Sequence, residues 1–119
     1  MTTKAHSNIM RSVAYMMRVP SQPSAVHEAA QLLGNTLRLA ILNLLREGPF
    51  SRAYAADRLG VNESNLSRQL SILTEHDLVT AEMMPGRGRP MLYAINEEAV
   101  ETMLTLVGNY VRGLPLDRD

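Results

Sequence analysis

The stretch Ala56-Asp57-Arg58-Leu59-Gly60-Val61-Asn62-Glu63-Ser64-Asn65-Leu66-Ser67-Arg68-Gln69-Leu70 places two short helical patterns on either side of a three-residue turn. Gly60 can take a positive φ at no steric cost, Val61 tucks an apolar side chain between the helices, and Asn62 is a natural N-cap. Glu63 follows in the first turn, where the helix dipole favours an acid. At about 100° per residue, Leu66, Leu70 and Leu73 form one stripe of a helix running to about His76. Ser64, Arg68, Ser71 and Glu75 lie opposite, flanked by Asn65 and Ser67. Two helices joined by such a turn are a helix-turn-helix, and a plain helical hairpin has the same pattern.

The following segment separates these alternatives. Leu78 to Met84 and Met91 to Ile95 are short strand-like runs around Pro85-Gly86-Arg87-Gly88-Arg89-Pro90, a turn with two Arg and no acid. A hairpin directly after a helix-turn-helix is a wing. Charges on an exposed loop contribute almost nothing to stability, so Arg87 and Arg89 at the tip point to a ligand.

Upstream, Ser24 reads as the cap of a helix with Val26, Ala29, Ala30 and Leu33 on its apolar face, ended by Gly34. Asn35 caps the next helix, where Leu37, Ala40, Ile41, Leu44 and Leu45 recur at helical spacing before Gly48-Pro49. Ser51 caps a third helix to Leu59, with Tyr54, Ala55 and Leu59 inward. Downstream, Asn96 caps a last helix over residues 97–113. Val100, Met103, Leu104, Val107, Tyr110, Val111 and Leu114 make an unbroken stripe there, more than the small core can cover, so a partner surface is expected. Residues 1–23 read as an arm and linker, with Ile9, Met10, Val13, Met16 and Met17 at helical spacing before Pro20. Residues 24–114 read as the DNA-binding and dimerisation domain, and 115–119 as a tail. The expected fold is mainly α, a winged helix-turn-helix of about five to six helices plus a two-stranded wing.

At 119 residues the chain suits one domain, and charges interrupt every apolar run well short of the roughly 20 residues that span a bilayer. The apolar patch from Val13 to Met17 is too short for a secretory core, so no membrane partner and a cytoplasmic location are expected. No cysteine is present, which removes disulfides and thiolate metal sites. The formal net charge is zero, yet 11 of the 12 basic residues are Arg, the side chain suited to phosphate and guanine. The acids Glu97, Glu98 and Glu101 gather near the C-terminus, leaving room for a basic face. No Ser/His/Asp set, carboxylate pair, phosphate loop or metal cluster has useful spacing, so neither an enzyme nor a cofactor is expected.

The residues 33–42 (Leu-Gly-Asn-Thr-Leu-Arg-Leu-Ala-Ile-Leu), the stretch from Ala56 to Leu70, Leu73-Thr74-Glu75-His76-Asp77-Leu78-Val79 and Met91-Leu92-Tyr93-Ala94-Ile95-Asn96 together resemble the ArsR-type winged-helix regulators, over roughly residues 25–112. The resemblance implies a homodimer built from the first and last helices. It also implies recognition helices in successive major grooves of a double-stranded DNA operator, and repression at a promoter. Where metal-sensing members carry a Cys-containing motif, this chain has Ser51-Arg52-Ala53-Tyr54-Ala55-Ala56-Asp57. Where others use paired Asp and His on the last helix, this chain has no His there, and His6, His27 and His76 are scattered. Metal sensing at a known family site is therefore not expected. Gly86-Arg87-Gly88-Arg89-Pro90 also resembles the core of AT-hook peptides, which lie in A/T-rich minor grooves.

The expected DNA contacts are Ser64, Asn65, Ser67, Arg68, Gln69 and Ser71 on the recognition helix, with Asn65 and Gln69 suited to adenine, and Arg87, Gly88 and Arg89 on the wing. The expected dimer interface is Val100, Met103, Leu104, Val107, Tyr110, Val111 and Leu114. A competing expectation is a winged-helix protein-interaction module, acting through the Met-rich arm and the last helix; Glu63 and Glu75 favour it, while Arg68, Arg87 and Arg89 disfavour it.

Overall fold

The computed structural model describes Met17, residues 19–88 and residues 90–116. Its elements run α1 (Ser24–Leu33), α2 (Thr36–Leu45), β1 (Phe50–Ser51), α3 (Arg52–Leu59), α4 (Glu63–Glu75), β2 (Val79–Met83), β3 (Met91–Ile95) and α5 (Glu97–Arg112). The helix expected from Ile9 to Met17 lies, but for an exposed Met17, outside the described residues.

Capping chemistry sets most of the boundaries. The side chains of Asn35, Ser51, Asn62 and Asn96 accept from the backbone N–H groups of Arg38, Tyr54, Asn65 and Ala99, satisfying donors that no helical carbonyl can reach. Gly60 and Gly113 end α3 and α5 in the left-handed conformation, at φ 69° and 73°. Ser24 is not a cap: Pro23 precedes the helix, its carbonyl accepting from Val26 and His27, so Ser24 already lies in the first turn.

The core gathers Leu32 from α1, Ile41, Leu42, Leu44 and Leu45 from α2, Ala55 and Ala56 from α3, and Leu66, Leu70 and Leu73 from α4. Phe50, Leu78, Val79, Tyr93 and Val100 close it from the sheet side and α5. One side chain of α3 departs from expectation. Tyr54 is exposed, its hydroxyl accepting from Arg58 Nη1 at 2.7 Å, and Ala56 takes the inward place. His27, one of the scattered histidines, is buried on α1.

The sheet has three strands rather than the two of a simple wing. Its antiparallel order is β1-β3-β2, with Phe50 opposite Tyr93 and Val79 opposite Ile95. The two-residue β1 pairs with β3 on the edge away from β2, and so ties the start of α3 to the hairpin. Periodicity could not reveal it, because two residues carry no alternation.

Candidate nucleic-acid interface

α4 is fastened at both ends. At its start Asn62 Oδ1 accepts from Asn65 N at 2.8 Å and from Ser64 Oγ at 3.3 Å. At its end Leu78 N donates to Leu73 O at 3.0 Å, and Asp77 turns the chain at φ 63°, a conformation costly for a residue with a Cβ. Asn96 holds that turn: its Nδ2 donates to Asp77 O at 2.8 Å, and its backbone N–H donates to Leu78 O at 2.9 Å. Helix, wing and last helix thus meet at one hydrogen-bonded corner, which fixes the base of the hairpin against the end of α4.

The outward face of α4 carries exposed Ser64, Asn65, Arg68 and Ser71, with Ser67 half-buried beside them and Glu63 and Glu75 at its two ends. Among the described residues the ion pairs are Arg46–Glu97 at 2.7 Å and Arg58–Glu47 at 3.0 Å. Arg68 and Arg87 belong to neither. In the exposed Arg58–Glu47 pair, the hydrogen bond and charge of Arg58 hold the Glu47 carboxyl below its ordinary pKa, while Arg58 is pushed up by Glu47 and the Tyr54 hydroxyl.

Gln69, expected among the DNA contacts, is instead buried, and its Oε1 accepts from Arg38 Nη1 at 2.7 Å. One helical position past Arg68 turns its side chain towards the stripe of Leu66 and Leu70, where an amide needs a partner and finds the guanidinium.

The wing tip is open. Gly86 and Gly88 have φ of 110° and 82°, and a Cβ added at either would meet nothing within 4 Å, so glycine here serves backbone conformation and close approach rather than packing. Arg87 and Gly88 are exposed; Arg89 lies outside the described residues. Met84 N donates to Pro90 O at 2.8 Å, closing the tip.

Arg52 went unnoticed in the sequence. It is exposed in the first turn of α3, where the dipole disfavours a cation, and it has no ion pair among the described residues. A basic residue immediately after an N-cap is the signal that could have found it.

The stripe expected as a dimer face divides. Val100 is buried in the chain's own core and Met103 is packed against it, so neither is a free contact. From Leu104 onward α5 runs past the core: Leu104 is 46%, Val111 76% and Leu114 50% exposed, with Val107 half-buried between them. Tyr110 is also exposed, its hydroxyl accepting from Gln22 Nε2 at 3.2 Å, which moors the linker to α5. Beside Leu104, an apolar hollow between α2 and α5 is lined by Leu33, Leu39, Leu42 and Val100.

Among the described residues, no helix is long and apolar enough to cross a membrane, and no group of three or more His, Asp or Glu could hold a metal ion.

Residues 33–82 match the family described as helix-turn-helix domain. No curated protein matches the chain. Among solved structures, the chain is similar to the transcriptional regulator HlyU from Vibrio vulnificus CMCP6, at 25% identity and a TM-score of 0.54 over 73% of this chain and 84% of that one. It is also similar to a possible transcriptional regulatory protein from Mycobacterium bovis (fragment 1–100), at 28% identity and a TM-score of 0.58 over 80% and 99%. With the reduced form of the transcriptional regulator YodB from B. subtilis the TM-score is 0.59 over 80% and 90%, at 18% identity, a likeness of fold alone. A helix-turn-helix formed by α3 and α4, followed at once by the β2–β3 hairpin, makes this chain a winged helix-turn-helix domain, the fold it shares with these regulators.

Proposed function

We propose that the chain is a transcriptional regulator of the ArsR type that binds double-stranded DNA as a homodimer and represses from an operator. One observation carries the reading: α4 turns to solvent a polar face with Arg68, and the hairpin pinned to its end exposes Arg87 between two glycines, neither Arg having an ion pair among the described residues. In this arrangement α4 enters the major groove, where base edges are distinguishable, and the wing reaches the adjacent minor groove. Ser64, Ser67 and Ser71 contact phosphates or bases along α4. Arg52 contacts a phosphate, as first helices of such motifs cross the backbone. Arg87 and Arg89 supply affinity and a flanking A/T preference. The exposed half of α5 from Leu104 to Leu114, continued by the hollow between α2 and α5, joins two copies so that two α4 helices address successive grooves.

Selection of bound duplexes from random DNA tests this, followed by titration of the selected site at several salt concentrations. A half-site repeated at about one helical turn is expected, with affinity falling steeply with salt. Arg68→Ala should cost about 1–3 kcal/mol and relax preference at one position if Arg68 reads a base. No selected sequence, together with salt-independent retention of a protein partner, would instead support an interaction module. The acids Glu63 and Glu75 at the ends of α4 favour that second reading.

A further inference from the structure

Arg38 is buried at the centre of the fold, 1% exposed, and its guanidinium meets three neutral oxygens: Leu32 O at 2.8 Å from Nε, Gln69 Oε1 at 2.7 Å from Nη1 and Gln31 O at 2.9 Å from Nη2. Arginine has only donors, so the Gln69 amide has one permitted orientation, oxygen towards Arg38. Its Nε2 then points along α4 and donates to Asn65 Oδ1 at 3.4 Å. Asn65 is exposed on the outward face, and its own backbone N–H is already engaged by the Asn62 cap at 2.8 Å. With Oδ1 turned inward to Gln69, the end of the Asn65 amide left to face outward is Nδ2, a donor only.

We infer that Arg38 and Gln69 form a buried relay that fixes the amide orientation of Asn65, so that Asn65 reads guanine rather than adenine in the major groove. This rests on the proposed role of α4 as the recognition helix. Adenine is recognised by asparagine through a bidentate pair in which Oδ1 accepts from N6 and Nδ2 donates to N7. That pair needs both ends of the amide to face the base along one edge, and here Oδ1 faces Gln69. Guanine offers two adjacent acceptors, N7 and O6, to a lone amide donor; adenine offers N7 beside a donating N6, which repels it. Arg38 and Gln69 never touch DNA in this arrangement. They are positioning residues, and the sequence-level assignment of both Asn65 and Gln69 to adenine is replaced by a guanine contact from Asn65 alone.

Gln69→Glu separates positioning from folding. A carboxylate keeps the bond to Arg38 and pairs the buried charge, but offers Asn65 an acceptor in place of an N–H, so the amide turns its Nδ2 inward and its Oδ1 outward. Duplex selection on the full chain, compared with Asn65→Ala to identify the position Asn65 reads, is expected to show guanine over adenine there. The ratio expected for one net hydrogen bond is about three- to tenfold. In Gln69→Glu the ratio should fall to parity or invert, with the salt slope unchanged. A preference for adenine in the wild type, or an unchanged ratio in Gln69→Glu, overturns the inference. Side-chain amide relaxation of Asn65 by NMR on the free protein decides the relay without DNA. Order close to that of the backbone in the wild type supports it; a mobile Asn65 amide in the wild type overturns it. A chain that selects no duplex but keeps an ordered Asn65 would refute the DNA reading and the guanine preference together, while the relay itself stands.

Discussion

Replacing Arg38 with Met keeps the apolar stem and ends it short of the guanidinium, so the change removes the polar contacts together with a little packing at the buried end. Two of the three oxygens that lose a donor, Gln31 O and Leu32 O, sit in the last turn of α1 (Ser24–Leu33), where carbonyls have no intrahelical partner and the dipole end is negative. This explains how a cation survives in the core without a carboxylate. Burial lowers the Arg38 pKa, so its charge is held at a cost that these bonds must offset. Stranding a buried acceptor costs about 1–3 kcal/mol. Leu32 O and Gln69 Oε1 would bear most of that, since their bonds to Arg38 are buried while the Gln31 contact is only part-buried. Relief of the buried charge works in the other direction. Two stranded acceptors at the lower end of this range give an expected loss of about 2 kcal/mol. With a urea slope of about 1.5–2 kcal/mol/M, the unfolding midpoint would fall by about 1 M. Arg38→Lys, which keeps the charge but cannot reach three oxygens in one plane, should fall between the two. A Met variant as stable as the wild type would show that desolvation outweighs the hydrogen bonds, and would remove Arg38 as the clamp between α1 and α4.

Asn96→Ala should cost about 1–2 kcal/mol, because it removes both the α5 cap and the donor to Asp77 O that supports a left-handed backbone; Asn96→Asp keeps the cap, so thermal melts of the pair apportion the loss. Val111→Glu should leave the protomer's fold intact, Val111 being 76% exposed, but should shift sedimentation from dimer to monomer by placing like charges in the proposed interface; an unchanged profile would exclude that part of α5. Because Arg58 lowers the Glu47 pKa, the pair contributes stability above the ordinary carboxylate range, and that contribution is lost as pH falls through the lowered value. The melting difference between wild type and Glu47→Gln should therefore be small at neutral pH, screened by salt, and closed well below about pH 4. Replacing Arg87 and Arg89 together with Ala should weaken binding to a selected duplex and flatten its salt dependence by up to about two phosphate equivalents; unchanged affinity and slope would take the wing out of the interface.

The helix-turn-helix and its order before a hairpin were legible in the chain because they rest on local chemistry. Asn35, Ser51, Asn62 and Asn96 each cap the helix they precede, and Gly60 takes the conformation its missing Cβ allows. These are interactions within four residues, which the order of residues states directly. Burial and pairing across the fold are different. Gln69 and Asn65 are both amides on one helix, and the guanidinium of Arg38, 31 residues away, engages the first as a buried clamp while the second stays exposed. The stripe on α5 is continuous in the sequence, but where the core stops decides that Val100 is interior and Val111 is surface. β1 exists because β3 offers it an edge, and Tyr54 turns outward because Arg58 and not the core holds its hydroxyl. Local hydrogen bonds were set by the sequence alone; which side chains lose water was decided by the packing of segments far apart in it.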